Sequence, residues 1–135
     1  MGVGESVWQV LEKPRVLSDE ERRLIGRLAT AVDEPLLHRQ VATASVTAVC
    51  RCGCSSLRLR SDEPPVPEVR VLQLSGNDRP DYFAVEAFGR ATELPIPQVV
   101  LHVVQGRIYE LEVFAGEGIA VPLPSPTHLT KVSVA

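Results

Sequence analysis

Residues 98–115 read QVVLHVVQGRIYELEVFA, and this stretch decides the fold. Apolar residues recur at alternate positions on both sides of Gln105-Gly106, the period of a strand with one face in a core. Two such runs around a short Gly-containing break predict a β-hairpin. Its register has two solutions. A two-residue turn at Gln105-Gly106 places His102 opposite Tyr109, on the face of Leu111 and Val113. A three-residue loop with a bulge at Gly106 pairs Val103 with Arg107 and Leu101 with Tyr109. The second is preferred, because a one-residue slip would drive the imidazole into the core. It groups Val99, Leu101, Tyr109, Leu111 and Val113 on one face and leaves His102, Glu110 and Glu112 on the other. His102 and Glu110 then lie diagonal to each other, within hydrogen-bonding reach.

Working outward from the hairpin, Tyr82–Phe88 and Val69–Leu74 read as two further strands, separated by the turn signal Gly76-Asn77-Asp78. Ser45–Cys50 and Leu57–Arg60 alternate in the same way, and Cys52-Gly53-Cys54 supplies a turn between them. Asp62–Pro67 is a Pro-rich connector, and Leu129–Val134 reads as a last edge strand after Pro122, Pro124 and Pro126. The N-terminal third has a different period. Ser18 followed by Glu21 is a capping box, Asp19, Glu20 and Glu21 suit the positive end of a helix dipole, and Leu24, Ile25, Leu28 and Val32 form one stripe. A helix over 18–32 follows, with a short one from Pro35 and another over 5–13 that Pro14 closes. The expectation is one α+β domain over 1–135, mainly helical in 1–43 and mainly β in 44–135. Its N-terminal helices would pack on one face of an antiparallel sheet of about five or six strands.

The 135 residues suit a single domain, and the 44% hydrophobic content suits a real core. Aromatics make up only 4%, so aliphatic side chains, valine above all, must build it. A net charge of −3 without a basic stripe argues against nucleic acid. No apolar run is long enough for a membrane span, and no secretory signal is visible. Three cysteines crowded at 50, 52 and 54 do not resemble a secreted disulfide framework, so a reducing cytosol is expected.

Those cysteines are the sharpest chemical feature. Cys50, Cys52 and Cys54 with His38, His102 or His128 as a fourth ligand would suit zinc, but alternate residues of a straight strand stand too far apart to share an ion. Packing beside a tight turn, metal binding and thiol redox all remain open. No cofactor is expected otherwise, and no catalytic residue is assigned. Gly116-Glu117-Gly118 lacks the third glycine and the helix of a dinucleotide loop.

Leu37-His38-Arg39-Gln40, the cysteine turn and Gly106-Arg107-Ile108-Tyr109-Glu110-Leu111-Glu112 occur in the order of a known pattern. The chain resembles a group of small uncharacterised actinobacterial proteins with a Leu-Arg-x-Gln helix end, a Cys-x-Cys-Gly-Cys turn and an Asp-Gly-Arg-Leu-x-x-Leu-Glu hairpin. Here Gln105 stands at the usual Asp, and His38 departs from the helix-end pattern. The resemblance covers roughly 24–130 and implies a cytosolic α+β domain without implying an activity. The functional expectation is a non-catalytic protein-binding or accessory module, toxin-neutralising by analogy, that docks through His102, Glu110 and Glu112. A metal or thiol-redox protein built on the cysteines is the alternative.

Overall fold

The computed structural model describes residues 8–51, 55–90, 95–116 and 119–135. Its elements are β1 (Trp8–Val16), α1 (Asp19–Ala29), α2 (Pro35–Thr43), β2 (Ser45–Cys50), β3 (Leu57–Arg60), α3 (Glu68–Leu74), β4 (Tyr82–Phe88), β5 (Gln98–Val104), β6 (Arg107–Phe114) and β7 (Thr130–Val134), with a 3-10 turn at Pro126–His128. All strands join one antiparallel sheet in the order β1-β2-β3-β6-β5-β4-β7. The fold is α+β, with seven strands among the described residues in place of five or six.

Two elements overturn the sequence expectation. The helix expected over 5–13 is strand β1 where it is described. Three apolar residues at helical spacing cannot offset the cost of nucleating so short a helix. Pairing with β2, from Trp8↔Cys50 to Val16↔Ser45, satisfies the backbone instead. Pro14 falls inside the interruption between Val10 and Arg15, where a missing N–H costs least. The strand expected over 69–74 is helix α3. Its valines favour a strand locally, but Pro67 precedes the first turn and the apolar set works at i, i+3: Val71 is buried, Leu74 packs on the core, and Val69 faces solvent. The helical first third therefore contains a strand, and the β part a helix.

α1 is capped as its sequence dictates. Ser18 Oγ accepts the Glu21 N–H at 3.2 Å, and Glu21 Oε1 accepts the Ser18 N–H at 2.8 Å. Arg15 on β1 completes the corner with a two-pronged bond to the Glu21 carboxylate at 2.9 and 3.0 Å. Glu34 caps α2 through the Leu36 N–H and accepts Arg70 of α3 at 3.2 Å, so one buried carboxylate ties two helices. Leu24, Ile25, Leu28 and Leu37 from the helices join Val46, Phe83, Val85, Leu101 and Leu111 from the sheet in one core.

The β5–β6 hairpin takes neither expected register. Gln105 (φ 54°) and Gly106 (φ 77°) form a two-residue turn closed by Val104↔Arg107. Positive φ at both positions is what matches the twist of the flanking strands. A bulge at Tyr109 then shifts the pairing by one, so Val103 faces Ile108 while His102 faces Glu110 and Leu101 faces Leu111. The bulge lets both Ile108 and Leu111 reach the core, and Tyr109, expected inside, is 42% exposed. A Cβ on Gly106 would lie 2.3 Å from the Val66 carbonyl oxygen, because the Pro-rich connector crosses directly over the turn.

Gln40 fixes that crossing. Fully buried on α2, it donates to the Gly106 and Pro64 carbonyls at 2.9 and 3.1 Å and accepts the Ile108 N–H at 2.8 Å.

Candidate functional site

Sheet register assembles a polar network from four strands. Arg58 on β3 pairs with Glu110 on β6, and Glu110 pairs with His102 on β5, which faces Ala84 on β4. Two residues along the same register lie Glu112, Val100 and Glu86, and two beyond them Phe114, Gln98 and Phe88. These alternate with the core residues Val99, Leu101, Leu111 and Val113, so they occupy the opposite side of their strands.

The network has a direction. Tyr82 Oη lies 2.6 Å from His102 Nδ1, and His102 Nε2 lies 2.9 Å from Glu112 Oε1. A neutral ring with its proton on Nε2 satisfies both bonds: the phenol donates to Nδ1, and Nε2–H donates to the carboxylate. Burial pushes the Tyr82 phenol above its usual range and the Glu112 charge pushes it further, with smaller contributions from Glu86 and Glu110; Arg79, stacked 5.1 Å from the ring centre, acts in the opposite sense. Tyr82 therefore keeps its proton, and toward the neutral Nε2–H ring it is the donor.

Beside it, Arg58 Nε donates to Glu110 Oε1 at 3.1 Å. Its guanidinium carbon lies 4.2 Å from the Trp8 ring centre and 4.9 Å from that of Tyr109. The cation is held by two aromatic faces and one carboxylate, each of which limits its rotamers.

The expected surface residues His102, Glu110 and Glu112 are thus brought together. One ligand atom from each lies within 4.8 Å of the others, the grouping among the described residues able to hold a metal ion. The expected metal set is placed differently. His38 Nε2 lies 3.0 and 2.9 Å from the Ala29 and Val32 carbonyl oxygens, where it closes the C-terminal end of α1. Cys50 ends β2, partly buried at the rim of a cavity of about 300 Å³ that also meets Ser18, Glu21 and Ser56. Cys52 and Cys54 lie outside the described residues, as does the turn that carries most of the family resemblance. His128 lines a groove of about 410 Å³ with Pro95, Ile119 and Pro122.

Sequence reasoning missed Tyr82 and Arg58. Each has a signal in the alternation of its own strand: Tyr82 shares the parity of Glu86 and Phe88, and Arg58 that of Arg60. Their convergence on His102 and Glu110 depends on the order of non-consecutive strands. No family model, curated protein or solved structure matches the chain.

Proposed function

We propose that this chain is a non-catalytic protein-binding module that docks through the sheet face carrying His102, Glu110 and Glu112. In this reading α1, α2 and α3 cover the opposite face. Supporting that placement, the helices' buried side chains share a core with Val99, Leu101 and Leu111, whereas His102, Glu110 and Glu112 belong to the other register.

The observation that carries the proposal is that polar and aromatic side chains at an accessible face are tied to one another by hydrogen bonds and ring contacts. Trp8, Arg58, Tyr109 and Glu110 form one fixed group, and Tyr82, His102 and Glu112 form a second beside it. Side chains ordered before contact lose little entropy on binding, and Trp, Tyr and Arg are the residue types that concentrate binding energy. Phe88 and Phe114, 36% and 48% exposed, extend the surface with apolar area at one end. A binding role also suits the relief: the 410 Å³ groove lies at Pro95 and Pro122, away from Tyr82 and His102. The compartment proposed is the cytosol, on the crowding of the cysteines.

The test is capture from the host lysate by the wild type, by a Glu110→Lys/Glu112→Lys variant and by a Trp8→Ala/Tyr109→Ala variant, with circular dichroism to establish folding. A partner retained by the wild type and lost from both folded variants supports the reading. An unchanged set of captured proteins overturns it.

A further inference from the structure

We propose that His102, Glu110 and Glu112 bind a divalent transition-metal ion, with zinc preferred over magnesium. This assignment is separate from protein docking and stands or falls without it. The donor set is one imidazole nitrogen and two carboxylates, contributed by β5 and by alternate positions of β6. Imidazole selects borderline first-row ions, while carboxylates alone would suit magnesium or calcium.

The geometry needs little adjustment. Nε2 and Glu112 Oε1 are already 2.9 Å apart, and all three donors fall within 4.8 Å. Metal bonds of about 2.0–2.2 Å in tetrahedral arrangement need donors about 3.4 Å apart, a change within reach of glutamate side-chain rotation. Two ligands are also held from outside the cluster, as metal ligands require. Arg58 Nε donates to Oε1 of Glu110, and Oε2 remains as that carboxylate's second donor for the ion. Tyr82 holds the ring through Nδ1.

The proton balance closes within the site. For a neutral ring in the metal-free state, the tautomer that satisfies both bonds has its proton on Nε2, with Tyr82 donating to Nδ1. When the ion binds Nε2, the proton resides on Nδ1 and is donated to the Tyr82 oxygen. The neutral ring changes tautomer and releases no net proton, and Glu112 exchanges an N–H for the metal. Charge favours the event: Arg58 offsets one of the two carboxylates, which leaves one negative charge for a dication. Three ligands leave at least one position for water.

The experiment titrates chelator-treated full-length protein with zinc alone by calorimetry, in parallel with manganese and magnesium. Proton NMR follows the rings of the three histidines. The expected result is one zinc per chain at this site, bound at least tenfold more tightly than magnesium, with the His102 ring signals the first to move. His102→Ala and Glu112→Gln each weaken that binding at least tenfold. Glu112→Gln keeps an oxygen acceptor for Nε2–H and the whole imidazole, so it tests the ligand without removing a side chain from the strand. A Cys50→Ser/Cys52→Ser/Cys54→Ser variant retains the site. Zinc binding unchanged in Glu112→Gln, lost only with the cysteines, or absent at millimolar zinc overturns the proposal.

Discussion

Replacing Gln40 by Leu tests how the hairpin is held. The side chain is fully buried, similar in volume to Leu, and makes three bonds to backbone at 2.8, 2.9 and 3.1 Å. The bond to the Pro64 carbonyl is only part-buried and Pro64 itself is exposed, so water replaces Gln40 there at little cost. The Gly106 carbonyl keeps the Val66 N–H at 2.9 Å. The Ile108 N–H lies in the buried part of the site and loses Gln40 altogether. An orphaned buried N–H costs about 1–3 kcal/mol and a lost second bond at Gly106 about 1 kcal/mol, so the expected loss is about 2–4 kcal/mol. Against a usual total of about 5–15 kcal/mol this is a large fraction. Urea unfolding followed by circular dichroism should show a lower midpoint with the same slope. Gln40→Glu should be worse, since a carboxylate faces two carbonyl oxygens. A loss below about 0.5 kcal/mol in Gln40→Leu would mean that the connector and turn hold each other without α2, and the reasoning would be refuted.

Gly106→Ala should cost more than an ordinary loop substitution, about 2 kcal/mol or above, because the Cβ meets Val66 backbone at 2.3 Å and the residue needs φ 77°; thermal melting reads it, and a melting temperature equal to wild type refutes it. At Glu21, burial pushes the carboxyl up, but Arg15 and the Ser18 backbone together hold it below its usual range. A depressed folded value stabilises above the unfolded value and is lost as pH falls through the folded one. Glu21→Gln should therefore cost about 1 kcal/mol at neutral pH and converge with wild type in acid, measured by urea midpoints across pH. In a Tyr109→Phe background, ultraviolet titration reports Tyr82 alone, and Glu112→Gln should move its ionisation to lower pH by removing a neighbouring charge. An unmoved titration curve would detach the phenol from that carboxylate.

Local chemistry made much of this legible in advance. The Ser18–Glu21 capping box, the stripe from Leu24 to Leu28 and the alternation in β2, β4, β5 and β6 are written in neighbouring residues. Each appears where the spacing placed it, except that β6 turns Ile108 inward in place of Tyr109 before its alternation resumes at Leu111. The failures come from longer range. Nothing near Trp8 announces that β2 has an open side to pair with, and Val69–Leu74 satisfies two periods until the core selects Val71 and Leu74. The bulge at Tyr109 exists because Ile108 and Leu111 both serve the core, a demand made by the other layer. The candidate site was half legible for the same reason. His102, Glu110 and Glu112 share one hairpin and could be grouped by parity, whereas Arg58 and Tyr82 reach them through strand order.

That strand order also sets the sequence of events by which the chain can fold. β1, β2 and β3 follow one another along the chain, and β5 and β6 form a hairpin to which β4 is adjacent. Each group is built from neighbouring parts of the chain, with β1 reaching β2 across α1 and α2. The two groups meet at β3 and β6, where the ladder has the pairs Leu57↔Leu111 and Arg58↔Glu110. Arg58 and Glu110 are 52 residues apart in sequence, so this join closes the long loop and must wait for it. Ser56 strengthens the same line by accepting the Val113 N–H at 2.9 Å. The Arg58–Glu110 ion pair thus also sits at the join between the two groups of strands. A lesion there should slow folding more than its modest contribution to stability implies.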